Sequence, residues 1–331
     1  MSIPVIAFFN NKGGVGKTSM VYHLSWMLSD RGLRVIAADL DPQSNLTAAF
    51  LDEDRLEQVM PLNGHSQTVY GAVQPLTDVG DINTPHVEII SDRLGLVVGD
   101  MALSTFEDSL SEAWTKCLAR DPRGFRTTSA FYRVVQRAGE VHGADVILVD
   151  LGPNLGAINR SALISSDFVV IPLGPDLFSL QGLQNLGPAL RRWREEWQER
   201  LSKNPVAELQ LPSGTIQPIG YMVLRHSIRL DRPVKAFERW IKRMPATYAQ
   251  AVLDEQPADG LTIDNDPHCI AKLKDYRSLM PLAQEARKPM FFLKPADGAL
   301  GAHTYAVSDA YQDFKRVATT IAANAGLKAL S

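Results

Sequence analysis

The stretch Phe8-Phe9-Asn10-Asn11-Lys12-Gly13-Gly14-Val15-Gly16-Lys17-Thr18-Ser19 decides the fold. A short apolar run, Val5 to Phe9, leads into it, and an amphipathic stretch, Met20 to Leu28, follows. Strand, glycine-rich turn and helix is the layout of a phosphate-binding loop. Glycines lack Cβ, so successive backbone N–H groups can turn inward around an anion. The helix N-terminus adds partial positive charge at the same point. In such a loop Lys17 reaches the β- and γ-phosphates and the Thr18 hydroxyl ligates Mg²⁺. The general pattern G-x-x-x-x-G-K-[ST] asks for glycine where Asn11 stands. The strand and helix context on both sides weighs against an accidental Gly-Lys-Thr.

Moving outward, the first helix is expected over about Lys17 to Asp30, with Gly32 as its stop. Leu33 to Ala38 reads as a second buried strand, ending in Asp39-Leu40-Asp41-Pro42-Gln43. An Asp-x-Asp at a strand end is often only a turn. Here it falls at the carboxyl edge of a strand following the loop, where open α/β sheets bind ligands. Asp145-Val146-Ile147-Leu148-Val149-Asp150 reads as a strand buried on both faces, with its terminal carboxylate at the same edge. That is the Walker B arrangement, in which Asp150 holds Mg²⁺ through a water. Further strands are expected at Leu94–Val98, Asp167–Pro172 and Ile219–Leu224, with helices at Leu103–Ala119 and around Phe131–Ala138. Leu180 to Leu201 carries helical spacing that Gly187-Pro188 can kink. Trp193 and Trp197 on it suit core or dimer packing.

Lys12 through Ser19, with a second lysine ahead of the loop, resembles the deviant Walker A loop of the ParA/MinD family of ATPases. The Asp39-Leu40-Asp41-Pro42-Gln43 segment, the strand ending in Asp150, and the late Arg287-Lys288-Pro289 turn with Met290–Leu293 as a last strand are similar to that family too. The resemblance implies an α/β P-loop NTPase: a twisted, mostly parallel sheet with helices on both faces. It implies that Lys12 reaches across a dimer interface to the partner's nucleotide and that Asp41, also near the metal, polarises the attacking water. Gly13, Gly14, Val15, Gly16, Lys17, Thr18 and Ser19 would hold the phosphates, and Lys12 and Lys17 would assist catalysis. His226, at the end of the Ile219–Leu224 strand, is the candidate adenine contact, against an ordinary loop histidine. After Asp150 the family shows Asp-x-Pro-Pro, whereas this chain has Gly152 in place of the first proline. That departure leaves the geometry of the segment open.

Composition narrows the class. The chain has 331 residues, 45% hydrophobic and 21% charged, with net charge −3. That suits one ParA-like domain over residues 1–331, with residues 245–267 reading as an insertion. Cys117 and Cys269 are the only cysteines and lie far apart, which fits a reducing cytoplasm and gives no disulfide, zinc or iron–sulfur pattern. No signal peptide is expected, and no apolar run reaches the ~20 residues of a membrane helix. The cysteine pair of the iron–sulfur relatives, the amphipathic tail of MinD and the tyrosine cluster of the related kinases all lack a counterpart. The chain is thus most similar to ParA/Soj-type partition ATPases. Its ATPase pattern starts at residue 3, so an operator-binding helix-turn-helix is not expected.

Residues 225–243 carry seven basic side chains against Asp231 and Glu238, or +5, so the rest carries −8. On a helix, Arg232, Lys235, Arg239, Lys242 and Arg243 form one stripe opposite Val234, Phe237, Trp240, Ile241 and Met244. Arg229 and Arg277 add to it. Such a stripe can be a solvated face; with the resemblance it implies binding of the DNA backbone without sequence specificity. The reading is therefore an ATP- and Mg²⁺-dependent ATPase of slow intrinsic turnover, a homodimer with ATP. It would bind DNA, associate with the nucleoid, be stimulated by a ParB-like partner, and partition or position plasmid or chromosome DNA. Two alternatives stand beside it: positioning or regulation of a protein cargo, and a metabolic P-loop amide or carboxylate ligase such as a dethiobiotin- or cobyrinate-type synthetase.

Overall fold

The computed structural model describes residues 2–61, 64–224, 234–276, 278–299, 301–328 and 330. Its centre is one eight-stranded sheet. The strands are β1 (Val5–Phe8), β2 (Val35–Asp39), β3 (Glu88–Ser91), β4 (Leu94–Val97), β5 (Val146–Asp150), β6 (Phe168–Leu173), β7 (Gln217–Leu224) and β8 (Cys269–Leu273). Their order is β3-β4-β2-β5-β1-β6-β7-β8. β3 runs antiparallel to β4, and the other pairings are parallel. Parallel strands need crossovers, and the crossover helices cover both faces.

Alternation along the strands explains the two cores. Val5, Ala7, Ile36, Ala38, Ile147 and Val149 face one apolar layer. Ile6, Phe8, Val35, Ala37, Val146 and Leu148 face the other. With both faces covered, β1, β2 and β5 are buried along their whole length, which is why they read as unbroken apolar runs. The first layer is completed by the helices Phe106–Lys116, Ala130–His142, Ala157–Ile164 and Leu177–Leu201. The second is completed by Lys17–Asp30, Leu279–Ala286 and Ala302–Asn324.

Several local expectations change. Leu103–Ala119 is a 3₁₀ turn, the helix Phe106–Lys116 and a second 3₁₀ turn. Leu177–Leu201 is one continuous helix with Pro188 inside it, beginning three residues before the expected Leu180. Trp193 and Trp197 are 3% and 0% exposed, so they belong to the core of this chain and not to a surface. Met290–Phe292 is a 3₁₀ turn where a last strand was expected, bracketed by Pro289 and Pro295. The last strand is β8 instead. Residues 244–253 are helical, with a π-helical stretch at Tyr248–Leu253 whose Tyr248 is buried against Tyr221.

Candidate functional site

The carboxyl ends of β1, β2 and β5 are neighbours in the sheet, so the three motifs meet. After β1 the chain turns at Asn10, a nearly fully buried residue. Its Oδ1 accepts the Lys12 N–H at 3.0 Å, and its Nδ2 donates to the Pro172 carbonyl at 2.8 Å. This side chain thus shapes the first turn of the loop and ties it to β6. Gly14 and Gly16 have φ of 71° and 82°, the left-handed region that side chains avoid. Asn11 has no positive φ, so glycine is not needed there. Its side chain packs with that of Asn10 over Gly182, where a Cβ would lie 2.6 Å from Asn10 Oδ1. Gly16 then heads the helix Lys17–Asp30 with no side-chain cap, which leaves the first N–H groups to an anion.

Lys17 is 7% exposed, and its Nζ donates to the carbonyls of Asn10 at 3.1 Å and Lys12 at 3.2 Å. Burial lowers its pKa, opposed by the negative charge of Asp150 and Asp41. Thr18 Oγ1 donates to Asp150 Oδ2 at 2.6 Å. The other oxygen, Asp150 Oδ1, is buried without a partner. Asp150 stands opposite Asp39 in the β2–β5 register. Burial first, and then the Asp39 charge, raise the Asp150 pKa well above the carboxylate range. Asp39 is itself fully buried and raised to about 7, chiefly by burial, although Thr47 donates both its N–H and its hydroxyl to Oδ2 at 2.8 Å. Asp41 lies closer to the opening, and its Oδ1 accepts the Gln43 N–H at 3.0 Å.

Among the described residues no group of three or more His, Cys, Asp or Glu is arranged to hold a metal alone. Magnesium does not require one: it is commonly held by one or two protein oxygens with water and phosphate completing the shell. The Thr18 hydroxyl and the orphaned Asp150 oxygen fit that role: both are hard oxygen donors, and a bound cation would relieve the crowding of Asp150 and Asp39.

A cavity of about 650 Å³ opens over the loop. Gly13, Gly14, Gly16, Lys17, Thr18 and Asp41 line one part of it. Tyr22, His23, Met280, Ala283, Gln284 and Arg287 line another. The second group was not read from the sequence. Tyr22 and His23 lie on the expected first helix and Arg287 in the late Arg287-Lys288-Pro289 turn, but no spacing pointed any of the six to the site.

Lys12 does not line this cavity. Its Nζ pairs with Asp176, and both side chains are about a third exposed, at 28% and 31%. Asp176 also caps the helix Leu177–Leu201, accepting the Ser179 N–H at 3.1 Å. Of the basic stripe, Arg239, Lys242 and Arg243 are exposed on and just after the helix Val234–Ile241. The guanidinium carbons of Arg239 and Arg243 lie 4.9 and 5.5 Å from the Trp240 ring centroid. Lys235 lies on the same helix, with its side chain outside the described residues, as are His226, Arg229, Arg232 and Arg277.

Comparison with known proteins gives a consistent picture. A family described as "AAA domain" matches residues 3–203, more than half of the chain. The sporulation initiation inhibitor protein Soj of Bacillus subtilis is 29% identical over 187 residues, 55% of this chain and 62% of Soj. Across the first relatives matched, the aligned part spans between 42% and 62% of their length. Among solved structures, a Corynebacterium diphtheriae protein superposes with TM-score 0.69 at 23% identity, covering 97% of this chain and 98% of that one. The ATP complex of a McdA variant from Cyanothece superposes with TM-score 0.63 at 15% identity, covering 100% and 99%. The architecture is that of a P-loop NTPase.

Proposed function

The chain belongs to the ParA/MinD family of P-loop ATPases, and we propose that it is an ATP-dependent dimerising switch that binds DNA without sequence preference and partitions or positions DNA. The observation that carries this reading is the meeting, at one cavity, of the loop, Lys17, the Thr18–Asp150 pair and Asp41, with Lys12 directly outside it.

The triphosphate lies along Gly13–Ser19, where backbone N–H groups and Lys17 offset its charge. Met280 and Ala283, which line the cavity away from the loop, would take its base. Thr18 and Asp150 would hold magnesium, which when bound would supply positive charge against the phosphates. Asp41 orients a water in line with the γ-phosphate, and positioning of this kind supplies most of the catalysis in phosphoryl transfer. Lys12 reaches the nucleotide of a second copy. The exposed apolar side chains Leu155, Leu177 and Phe178, on segments beside the loop, support a face that a second copy covers. The exposed Arg239, Lys242 and Arg243 support a phosphate-backbone contact.

An ATP-dependent DNA-binding assay tests the reading and separates it from a metabolic ligase. Lys17→Ala is expected to abolish nucleotide binding and DNA binding together. Asp41→Ala is expected to bind ATP, hydrolyse it at least about 100-fold more slowly, and stay on DNA. Hydrolysis by Asp41→Ala at the wild-type rate would remove Asp41 from the chemistry.

A further inference from the structure

Gly152 packs directly against the Asp41 carboxylate. A Cβ built on Gly152 would lie 3.1 Å from Asp41 Oδ1 and 3.4 Å from its Cγ. Any larger residue would therefore press on the carboxylate assigned to the attacking water. Glycine makes that room, but it gives up the fixed backbone angle a proline supplies. The segment 151–156 must be held in some other way.

It is anchored at both ends. Asp150 belongs to β5, paired with β1 and β2. At the far end, the Glu107 carboxylate accepts the N–H of Ala157 and, at 2.8 Å, that of Ile158, which caps the helix Ala157–Ile164. The middle is exposed at Pro153, Asn154 and Leu155. Beneath it lies Asn159, 1% exposed. Its Nδ2 donates to the Gly152 carbonyl at 2.9 Å and the Asn154 carbonyl at 2.7 Å, and lies 3.1 Å from Asn154 Oδ1. Three acceptors around one nitrogen fix which way the amide points. Its Oδ1 is buried with no partner, so the amide is placed for what its nitrogen holds. Among the described residues, no other group donates to those two carbonyls.

We infer that Asn159 is a positioning residue for hydrolysis: its amide staples the segment 151–156, which keeps Gly152 seated against Asp41 and Pro153 against Gly13 of the loop, where Gly13's own missing Cβ would lie 3.9 Å from the proline ring. This assignment rests on the ATPase reading above. Asn159 touches no reacting group. It acts through the backbone that backs Asp41, and it stiffens a segment that Gly152 by itself leaves free to turn.

The test uses the full chain and three substitutions, Asn159→Ala, Asn159→Ser and Asn159→Asp. Amide hydrogen exchange of the 151–158 peptide is read alongside kcat and the affinity for ATP with Mg²⁺. Asn159→Ala is expected to raise exchange in that peptide about tenfold. It lowers kcat about tenfold while ATP affinity changes by less than about threefold. Asn159→Ser, which keeps one donor, recovers part of both effects. Asn159→Asp, which turns a carboxylate towards two carbonyls, is worse than alanine. A merely structural role would lower stability without splitting kcat from affinity and without rescue by serine. Wild-type exchange across 151–158 in a folded Asn159→Ala protein overturns the staple, and if the alanine variant does not fold, the serine variant carries the same comparison. Should the wild-type chain hydrolyse no ATP, with or without DNA, the ATPase reading fails, and the exchange measurement alone decides the staple.

Discussion

His23 sits on the helix that begins at the loop, lines the cavity and is 3% exposed. Its Nδ1 donates to the Ser19 carbonyl at 2.7 Å, and its Nε2 accepts the Met290 N–H at 3.2 Å. The ring stacks on Phe314, centroids 4.9 Å apart. Both nitrogens are thus used by a neutral ring, and burial lowers its pKa from 6.5 to about 4 against the pull of the Ser19 hydrogen bond. The unfolded chain takes up the proton first as pH falls. The stability from His23 is therefore complete above about pH 6.5 and is lost as pH falls towards 4. At about 1.4 kcal/mol per pH unit, that window is worth on the order of 3 kcal/mol. His23→Gln keeps a donor and an acceptor but does not titrate. In urea unfolding, wild type should exceed it in stability at pH 7, with the gap closing between pH 6.5 and 4; a gap independent of pH would exclude the depressed histidine. Nothing in the sequence marked His23, Thr47 or Asn159, and Asn10 stood in the loop stretch with no role of its own. Each acts on a residue brought near by the fold, or on a turn whose shape no motif specifies. Lys17, Thr18 and Asp150 were legible because loop spacing and a buried strand's end force their positions whatever surrounds them.

Elements were legible in proportion to how fully they are buried. β1, β2 and β5 bury both faces and appear as unbroken apolar runs. The edge strands β3 and β8 do not: β3 leaves Ile89 63% exposed, and β8 has one fully buried residue, Leu273. An edge strand needs fewer apolar side chains, so its pattern is weak. Gly187 shows a different limit. With Pro188 it reads as a kink site, but a Cβ there would lie 1.7 Å from the Ala251 carbonyl oxygen. It permits the close approach of two helices, which local pattern cannot reveal. The helix Val234–Ile241 was legible from its stripe, and its exposed charge can be tested at the same scale. Arg239→Glu with Lys242→Glu should weaken DNA binding equally for unrelated sequences. If each side chain meets one phosphate, the slope of log K against log salt should flatten by about two. An unchanged slope would leave those charges as a solvated face.

At the scale of the molecule, these elements join the loop to the basic helix. Lys12 pairs with Asp176, which caps the helix Leu177–Leu201. Further along, Gly187 and Arg191 of that helix meet residues 251 and 252, with Arg191 donating to the Ala251 carbonyl at 2.8 Å. Those residues end the helical run that begins directly after the exposed Arg243. Asp176 therefore has two roles: it caps a helix, and it holds the lysine that a nucleotide in a second copy would need. The two can be separated. Asparagine caps a helix nearly as well as aspartate but carries no charge. Asp176→Asn should keep the thermal stability of the wild type while releasing Lys12. Sedimentation with a non-hydrolysable ATP analogue and Mg²⁺ is then expected to show dimers at about tenfold lower chain concentration, a shift of roughly 1.4 kcal/mol. Lys12→Ala should bind the analogue and remain a single chain at every concentration. A dimer formed equally well by Lys12→Ala would mean that Lys12 serves only its own Asp176, and that the second copy is held by other contacts.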